Sequence, residues 1–299
     1  MRAEVENLGA PLCAPPLKEP RAPRFRLPSH ACDGHLHVLG PARSFPYTPD
    51  RVYTPPDCLL SDYLPVRDYL GVERCVLVQP SVYANDNRVL LQALRKLGDS
   101  ARGVVALRGD ESRQELDEMH ALGVRGVRVN LVDVREPAPG LPVERLQRLA
   151  QFVGPLGWHL ELLVHVDRYP GLQAALGDLG VQVVFGHMGY LSREVKDIHD
   201  PSLQAMYELM KSGKAWAKVS GAYRVADPPD YAKAAAIVRW LVDECPQRLV
   251  WGTDWPHVRV KSAMPHDSDL LDAIAGWVPQ RAHQEALFAT NAAGLYGWP

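Results

Sequence analysis

Eight short strand-like runs alternate with helix-like stretches along almost the whole chain, and this alternation limits the fold to a few α/β architectures. The runs span 31–38, 74–79, 102–107, 124–130, 159–166, 181–186, 215–220 and 248–253. Between them, apolar residues recur three and four positions apart, as on one face of a helix, and several stretches end in glycine. Eight β-α units in series predict an α/β fold of the (β/α)8 TIM-barrel type, as a single domain over residues 30–299.

A doubly wound open sheet is the alternative architecture for the same alternation. Its most common nucleotide-binding version carries the motif GxGxxG after the first strand, whereas this chain has only Gly34 in that place. A TIM barrel typically needs about 250 residues, which the stretch 31–296 supplies. The barrel is therefore the architecture that we expect.

Residues 1–29 form a proline-rich segment ahead of the predicted barrel. Proline fixes the backbone angle φ and removes an amide donor, so a segment with so many prolines cannot form a regular helix or strand. The prolines are Pro11, Pro15, Pro16, Pro20, Pro23 and Pro28. We expect an extended N-terminal arm that lies on the barrel or on a second subunit, which is compatible with a homodimer; disorder is the alternative.

The overall composition excludes several functional classes. A formal net charge of −2 at pH 7 gives no electrostatic basis for binding nucleic acid or an anionic membrane surface. The sequence has no apolar run near the ~20 residues that cross a bilayer, and no apolar segment typical of a secretory signal. Its five cysteines are scattered without a CxxC motif, so reduced thiols are the simplest interpretation. These features predict a cytoplasmic protein whose partner is a small molecule.

Three histidines and one aspartate lie at or just after predicted strands. His35 and His37 are two positions apart in the first run, and because side chains alternate faces along a strand, they point to the same side. His187 follows the sixth run and Asp254 follows the eighth. The carboxyl ends of all barrel strands meet at one mouth, where the eighth strand closes beside the first. We therefore expect these four side chains to converge, although an isolated strand histidine is more often a hydrogen-bonded core residue.

The ordered set of motifs that contains these residues resembles the amidohydrolase superfamily, and within amidohydrolase family 2 it is similar to the 2-pyrone-4,6-dicarboxylate lactonase-like hydrolases. The motifs occur in the order DGHLHVLGP at 33–41, YTP at 53–55, VQPS at 78–81, DNR at 86–88, GVRGVRVN at 123–130, GWH at 157–159, GHMG at 186–189 and WGTDWPH at 251–257. The HxH pair alone is weakly specific, whereas the ordered set is strongly specific. The resemblance extends over almost everything after residue 30.

The resemblance implies hydrolysis of a small carboxylated lactone, such as a pyrone, a muconolactone or a sugar-acid lactone, in organic-acid or aromatic catabolism. It implies that Asp254 acts as general base on the attacking water and then protonates the leaving oxygen. His35, His37 and His187 would polarise the carbonyl, either directly or through a metal. Two other functions remain open: a metal-dependent non-oxidative decarboxylase like the amino-carboxymuconate-semialdehyde decarboxylases, and a non-catalytic acid-binding barrel.

Several further residues are candidates for binding the substrate. Arg128 lies at the end of the fourth run, where an arginine that faces the barrel mouth is costly without an anionic partner. Its planar guanidinium matches the geometry of a carboxylate. The resemblance implies that Arg128 and Arg224 bind a substrate carboxylate and that Ser81, Tyr53 and Asn87 provide hydrogen bonds. A surface loop position for Arg224 and a packed loop position for Tyr53 are the alternatives.

The pattern departs from the dicarboxylate lactonase at two positions. The resemblance places a second basic residue soon after the fourth strand, where this chain has Val134, with Arg135 one step away. Leu163 stands where the resemblance places a tyrosine. We therefore expect a lactone with one acidic group rather than two.

The metal ligands that the resemblance suggests are incomplete. Superfamily members with two metals use a carboxylated lysine after the fourth strand, and the fourth run ends here in Asn130 without one. The usual fifth-strand histidine position is Leu163, although His165 lies two residues later on the same side. We expect no obligatory cofactor; the alternative is one divalent metal, Zn²⁺ or Mn²⁺. Its ligands would be His35, His37, Asp254 and either His165 or His187.

Overall fold

The structure, a computed structural model, describes residues 9–136, 140–195 and 198–299, and within them eight parallel strands form one sheet. The strands are β1 (Cys32–Leu36), β2 (Arg74–Val78), β3 (Ala101–Val105), β4 (Val124–Asn130), β5 (His159–Leu163), β6 (Val183–Phe185), β7 (Ala215–Val219) and β8 (Leu249–Trp251). They pair in the order β1 to β8, and a bridge between Leu36 and Trp255 joins β1 to the chain just after β8. The predicted TIM barrel is therefore confirmed.

Helices follow each of the strands, and the last three come after β8. They are α1 (Leu60–Leu70), α2 (Arg88–Leu97), α3 (Arg113–Ala121), α4 (Val143–Val153), α5 (Leu172–Leu176), α6 (Pro201–Lys211), α7 (Ala222–Val225), α8 (Ala232–Glu244), α9 (Asp267–Trp277), α10 (Arg281–Glu285) and α11 (Asn291–Tyr296). α3 begins with a capping box, in which Ser112 accepts a bond from the Glu115 amide at 3.2 Å and Glu115 accepts one from the Ser112 amide at 2.6 Å. α1 ends at Gly71, whose φ of 79° is the left-handed conformation that glycine tolerates.

Most strands are shorter than the sequence pattern predicts, and the difference matters for the site. The predicted runs 181–186 and 248–253 contain strands of three residues each, β6 and β8. The chain leaves the sheet early because the backbone turns left-handed soon after each strand, with φ of 50° at His187 and 64° at Asp254. Both side chains therefore lie on loops at the barrel mouth rather than on strands.

The buried carboxylate of Asp33 on β1 accepts hydrogen bonds from the chain just after β8. The Oδ2 atom of Asp33 accepts bonds from the Thr253 hydroxyl at 2.6 Å and the Tyr63 hydroxyl at 2.9 Å, and its Oδ1 accepts one from the Thr253 amide at 2.8 Å. Burial raises the pKa of Asp33 to about 6, although these donors favour its ionised form. One residue further on, the Asp254 amide donates to the His35 carbonyl at 2.8 Å. The loop that carries Asp254 is thus held against β1.

A glycine allows β8 to approach β1 so closely. A Cβ atom on Gly252 would lie 2.7 Å from both the amide nitrogen and the Cβ of His35. We expect Gly252→Ala to lower the free energy of unfolding by about 1–3 kcal/mol, because the two strand ends must separate to admit the methyl group. Gly276→Ala is the matched control, since Gly276 is exposed in α9 with open space around it. Chemical denaturation should show no loss of stability for the control; equal losses would contradict this interpretation.

The described part of the N-terminal arm, from residue 9 onwards, lies on its own barrel. The Cys13 amide donates to the Thr54 carbonyl at 2.9 Å, and the Thr54 amide donates to the Pro11 carbonyl at 2.8 Å. Further along, the Asp272 carboxylate on α9 accepts a bond from the Phe25 amide at 2.8 Å. These hydrogen bonds join the described part of the arm to its own barrel; residues 1–8 lie outside the described residues.

The helices and the cysteines bear on the predictions made from composition. No helix in the described ranges is long and apolar enough to cross a membrane. The cysteines are all free thiols, as expected: Cys13, Cys32, Cys58, Cys75 and Cys245.

Candidate active site

The three histidines and the aspartate converge at the barrel mouth. The Nε2 atoms of His35, His37 and His187 lie 3.8, 4.0 and 3.8 Å from Oδ1 of Asp254. All four side chains are at most 3% exposed. The Nε2 atom of His35 and the Oδ1 atom of Asp254 are buried without a hydrogen-bond partner. Buried polar atoms are normally satisfied, so these atoms form a site built for an external polar group.

The other oxygen of Asp254 is fully engaged. Its Oδ2 accepts bonds from the Tyr223 hydroxyl at 2.7 Å and from Nε of Arg224 at 2.6 Å. Burial, the largest single influence, would raise the pKa of Asp254, but the charge and hydrogen bond of Arg224 together with the neighbouring His187 and His35 outweigh it and hold this pKa well below its usual range. Asp254 is therefore an ionised carboxylate with one oxygen fixed and the other directed at the three histidines.

The histidines are neutral at neutral pH, and one has a defined tautomer. Burial lowers the pKa of His37 to about 3 and that of His187 to about 4, and burial together with the charge of Lys218 holds the pKa of His35 well below its usual range. Nδ1 of His37 lies 2.8 Å from the Val78 carbonyl oxygen. Because a carbonyl can only accept, His37 carries its proton on Nδ1 and directs a lone pair on Nε2 towards Asp254.

Two charged residues that sequence reasoning missed lie inside the barrel behind His35. Lys218 on β7 is completely buried, and Glu161 on β5 is 1% exposed. The Lys218 ammonium lies 2.5 Å from Oε2 of Glu161 and 3.3 Å from Nδ1 of His35. The available signal was a single charged residue in each of two largely apolar strands, because a fully buried charge needs a partner.

A hydrogen-bonded chain leads from Asp254 to the outer helix α9. The Tyr223 hydroxyl, bound to Asp254, lies 3.1 Å from Nδ1 of His257, and Nε2 of His257 lies 3.0 Å from Oδ1 of Asp267. His257 thus holds Tyr223 in place and does not itself reach the convergent group through its side chain. Sequence reasoning assigned no role to Tyr223 or Asp267.

Arg128 carries an unpaired positive charge at the site. It is 7% exposed, its Nη1 donates to the Gln79 carbonyl at 2.9 Å, and its Nε has no partner. No carboxylate of the described residues forms an ion pair with it. The Tyr53 hydroxyl and the Ser81 hydroxyl lie nearby on facing loops, 3.3 Å from one another. Arg128, Tyr53 and Ser81 are three of the residues that the sequence predicts to bind an anionic substrate.

Arg224 and a further arginine are paired with carboxylates of the chain itself. Arg224 is 8% exposed and bound to Asp254, so it is not a surface loop residue. Arg259, on the loop after β8, forms an ion pair with Asp133, whose Oδ2 accepts a bond from Asn130 at 3.0 Å. Arg135, by contrast, donates to the Pro49 carbonyl at 2.8 Å. Arg259 and Arg135 therefore both have partners within the chain, a carboxylate for Arg259 and a backbone carbonyl for Arg135.

The structure places the remaining two candidates elsewhere. The side-chain amide of Asn87 donates to the Ala106 carbonyl at 2.8 Å and accepts from the Ala106 amide at 3.0 Å, which engages it with the loop after β3. Nδ1 of His165 lies 2.6 Å from the Tyr190 carbonyl, and His165 is not part of the cluster of possible metal ligands. His165 lines a cavity of about 300 Å³ beside Arg224. The other cations around this cavity are Arg168, Arg193, Arg259 and Lys261, with Glu194 as its carboxylate.

A metal centre was the alternative for the convergent group. His35, His37 and Asp254 each offer one ligand atom, and these atoms lie within 4.8 Å of one another. A histidine that binds a metal usually donates its second ring N–H to an acceptor, as His37 does to Val78. The second nitrogen of His35 faces the Lys218 ammonium, which can only donate. The donor set at His35 therefore does not fit a metal ligand.

The chain is similar to several known proteins over nearly its whole length. A family model described as amidohydrolase matches residues 32–298. The chain is 34% identical over 290 residues to a 2-pyrone-4,6-dicarboxylate hydrolase of Comamonas testosteroni, with 94% of each chain covered. It is 30% identical to a 4-sulfomuconolactone hydrolase of Hydrogenophaga intermedia, with 96% of this chain and 95% of that protein covered. A crystal structure from Acinetobacter baumannii, described as a probable 2-pyrone-4,6-dicarboxylic acid hydrolase with citric acid bound, superposes with a TM-score of 0.78 at 27% identity and covers 90% of this chain and 99% of that one.

Proposed function

Because this chain belongs to the amidohydrolase family, we propose that it hydrolyses the ring ester of a small carboxylated lactone. The observation that carries the proposal is the ionised Asp254, whose free Oδ1 faces three neutral histidines at 3.8–4.0 Å. The relatives named above act on lactones, which fits a site with a base and with hydrogen-bonding groups for a carbonyl.

In the proposed reaction, a water molecule lies between Oδ1 of Asp254 and the carbonyl carbon of the lactone. Asp254 takes one proton from this water as its oxygen bonds to the carbonyl carbon, and the lone pair on Nε2 of His37 accepts a hydrogen bond from the other. Nε2 of His35 donates to the carbonyl oxygen as negative charge develops there. The tetrahedral intermediate then collapses, the bond to the ring oxygen breaks, and Asp254 returns its proton to that oxygen to give the open-chain hydroxy acid or its tautomer.

The charges around the mouth support a substrate with one acidic group at Arg128. Arg224 and Arg259 are already paired with Asp254 and Asp133, whereas Arg128 has no carboxylate partner among the described residues. The Tyr53 and Ser81 hydroxyls, which lie 3.3 Å from one another, would add hydrogen bonds to that carboxylate in the proposed complex. We therefore propose a muconolactone-like or sugar-acid lactone, of the kinds met in aromatic and organic-acid catabolism.

A panel of lactones tests the proposed function. It contains neutral, singly acidic and doubly acidic rings, the last including 2-pyrone-4,6-dicarboxylate, and base uptake in a pH-stat reports hydrolysis. We expect kcat/KM to be highest for a singly acidic lactone. A micromolar KM for the dicarboxylate would contradict the single acidic group, and release of CO₂ without ring hydrolysis would identify a decarboxylase instead.

The pH profile of hydrolysis should be flat through the neutral range. Arg224 and the neighbouring histidines together keep the pKa of Asp254 well below its usual range, and burial lowers the pKa values of His37 and His187 to about 3 and 4. Above about pH 5 the aspartate is therefore ionised and both histidines are neutral, so kcat/KM should stay constant from about pH 5 to pH 8. After subtraction of uncatalysed hydrolysis, a break near pH ~6.5 that persists in Asp33→Asn would show a histidine with an ordinary pKa and contradict this prediction, because the carboxyl of Asp33, whose pKa is about 6, is then absent.

A further inference from the structure

We infer that Lys218 and Glu161 are positioning residues that hold the proton of His35 on Nε2, so that His35 donates a hydrogen bond into the site and cannot bind a divalent metal. The inference concerns the proton and metal chemistry of this chain's own residues, and it depends on the proposed function only for the identity of the group that accepts the bond.

In the hydrogen bond between Lys218 and His35, the lysine is the donor. The two nitrogen atoms, Nζ and Nδ1, lie 3.3 Å apart in a fully buried setting. An ammonium group has three donors and no acceptor, so Nδ1 of His35 must provide the lone pair. A neutral imidazole has only one N–H, which the bond from Lys218 therefore places on Nε2, the atom that faces Asp254.

Glu161 keeps Lys218 in this position. Its Oε2 lies 2.5 Å from the ammonium, and both side chains are almost completely buried. Its Oε1 lies 3.4 Å from Nδ1 of His35 and would be the natural acceptor for an Nδ1–H if Lys218 were absent. Lys218 thus decides between two tautomers of His35, because it forms an ion pair with Glu161 and donates to the lone pair on Nδ1 at the same time.

The consequence is a pair of histidines with opposite tautomers. His37 has its proton on Nδ1, bound to the Val78 carbonyl, and directs a lone pair into the site. His35 directs an N–H into the same site, from a buried Nε2 that has no partner. His35 in β1 thus provides a hydrogen-bond donor for a carbonyl oxygen, and His37 just after β1 provides an acceptor for water. Ester hydrolysis needs both groups.

The same arrangement disfavours a metal ion. A ligand histidine needs a lone pair on the metal-facing nitrogen, which His35 lacks when its proton is on Nε2. The charge around the site acts in the same direction, because Lys218 is paired with Glu161 and Arg224 with Asp254, whereas Arg128 has no carboxylate partner among the described residues. A divalent cation between the histidines would therefore face both a missing ligand and an excess of positive charge.

The tautomers can be measured directly without substrate. Histidine-labelled protein, freed of metal by chelation, is examined near neutral pH by two-bond ¹H–¹⁵N correlation spectra, with His35→Asn and His37→Asn used for assignment. We expect His35 to be protonated on Nε2 and His37 on Nδ1. A His35 that carries its proton on Nδ1 would overturn the inference, whether or not the protein hydrolyses lactones.

Cobalt binding provides the second test. Lys218→Met frees Glu161 to accept from Nδ1 of His35, so we expect Co²⁺ affinity, read from d–d absorption, to rise about 10–100-fold over the parent protein. The gain should disappear when His35→Asn is added. Lys214→Met is the matched control, because Lys214 is half-exposed and pairs with Asp178 away from the site.

A double variant keeps the cobalt test decisive if Lys218→Met alone does not fold. If Lys218→Met leaves Glu161 so poorly compensated that the variant does not fold, Lys218→Met combined with Glu161→Gln removes both buried charges, and it should still bind Co²⁺ more tightly than the parent. Parent protein that binds Co²⁺ as tightly as the folded variant would overturn the inference.

Discussion

Asp254→Asn is expected to lower kcat for lactone hydrolysis by about 10³-fold while changing KM by no more than a few-fold. The amide cannot take a proton from water or return one to the leaving oxygen, and the proposed reaction uses Asp254 for both transfers. Its carbonyl oxygen can still accept the bonds from Tyr223 and Arg224 that now reach Oδ2. Steady-state kinetics with the best lactone of the panel measure this effect.

A control variant separates the loss of the base from a general loss of structure. Asp272→Asn also changes a largely buried carboxylate to an amide, but Asp272 lies on α9, where it binds the N-terminal arm through the Phe25 amide. We expect its kcat to match that of the parent protein. If Asp254→Asn kept kcat within tenfold of the parent while both variants melted normally, Asp254 would not be the general base.

Arg128→Met is expected to raise KM about 10²-fold for a lactone with one acidic group. The substitution keeps an unbranched side chain but removes the buried, unpaired guanidinium, and a hydrogen bond to a charged group contributes roughly 1.5–3 kcal/mol. The kcat value should fall much less, because Arg128 binds a part of the substrate that does not react.

A second substrate makes the Arg128 prediction specific. The same lactone with its carboxylate converted to a neutral amide should already bind poorly to the parent protein, and Arg128→Met should not weaken it much further. Arg135→Met is the matched control, since Arg135 is bound to the Pro49 carbonyl at the surface and should leave KM unchanged. If Arg128→Met raised KM equally for the acid and the amide, the arginine would not be the carboxylate ligand.

The sequence alone predicts the barrel and the convergence of the four side chains at its mouth. The strand–helix alternation sets the order of the strands, and barrel closure brings the loop after β8 beside β1, where the Asp254 amide donates to the His35 carbonyl. The bounds of β4 agree with the predicted run 124–130 because its residues remain extended to Asn130. Periodicity could not show where β6 and β8 end, since single left-handed residues such as His187 and Asp254 leave no apolar pattern.

The residues behind His35 could not be found from the sequence pattern. In a barrel both faces of each strand are buried, so alternation does not show whether Lys218 on β7 or Glu161 on β5 points into the interior. Their proximity depends on the register of two strands that are not neighbours. The same limit applies to Arg259, whose ion pair with Asp133 joins loops that are distant in sequence.

We propose above all that Asp254 and neutral histidines hydrolyse a lactone without an obligatory metal. The most direct test assays protein purified through chelator against the best lactone of the panel, before and after addition of Zn²⁺ or Mn²⁺, with metal content measured on the same samples. We expect the metal-free protein to show full kcat/KM and to gain no activity when either ion is added. Activity that is absent after chelation and returns only with metal would contradict it.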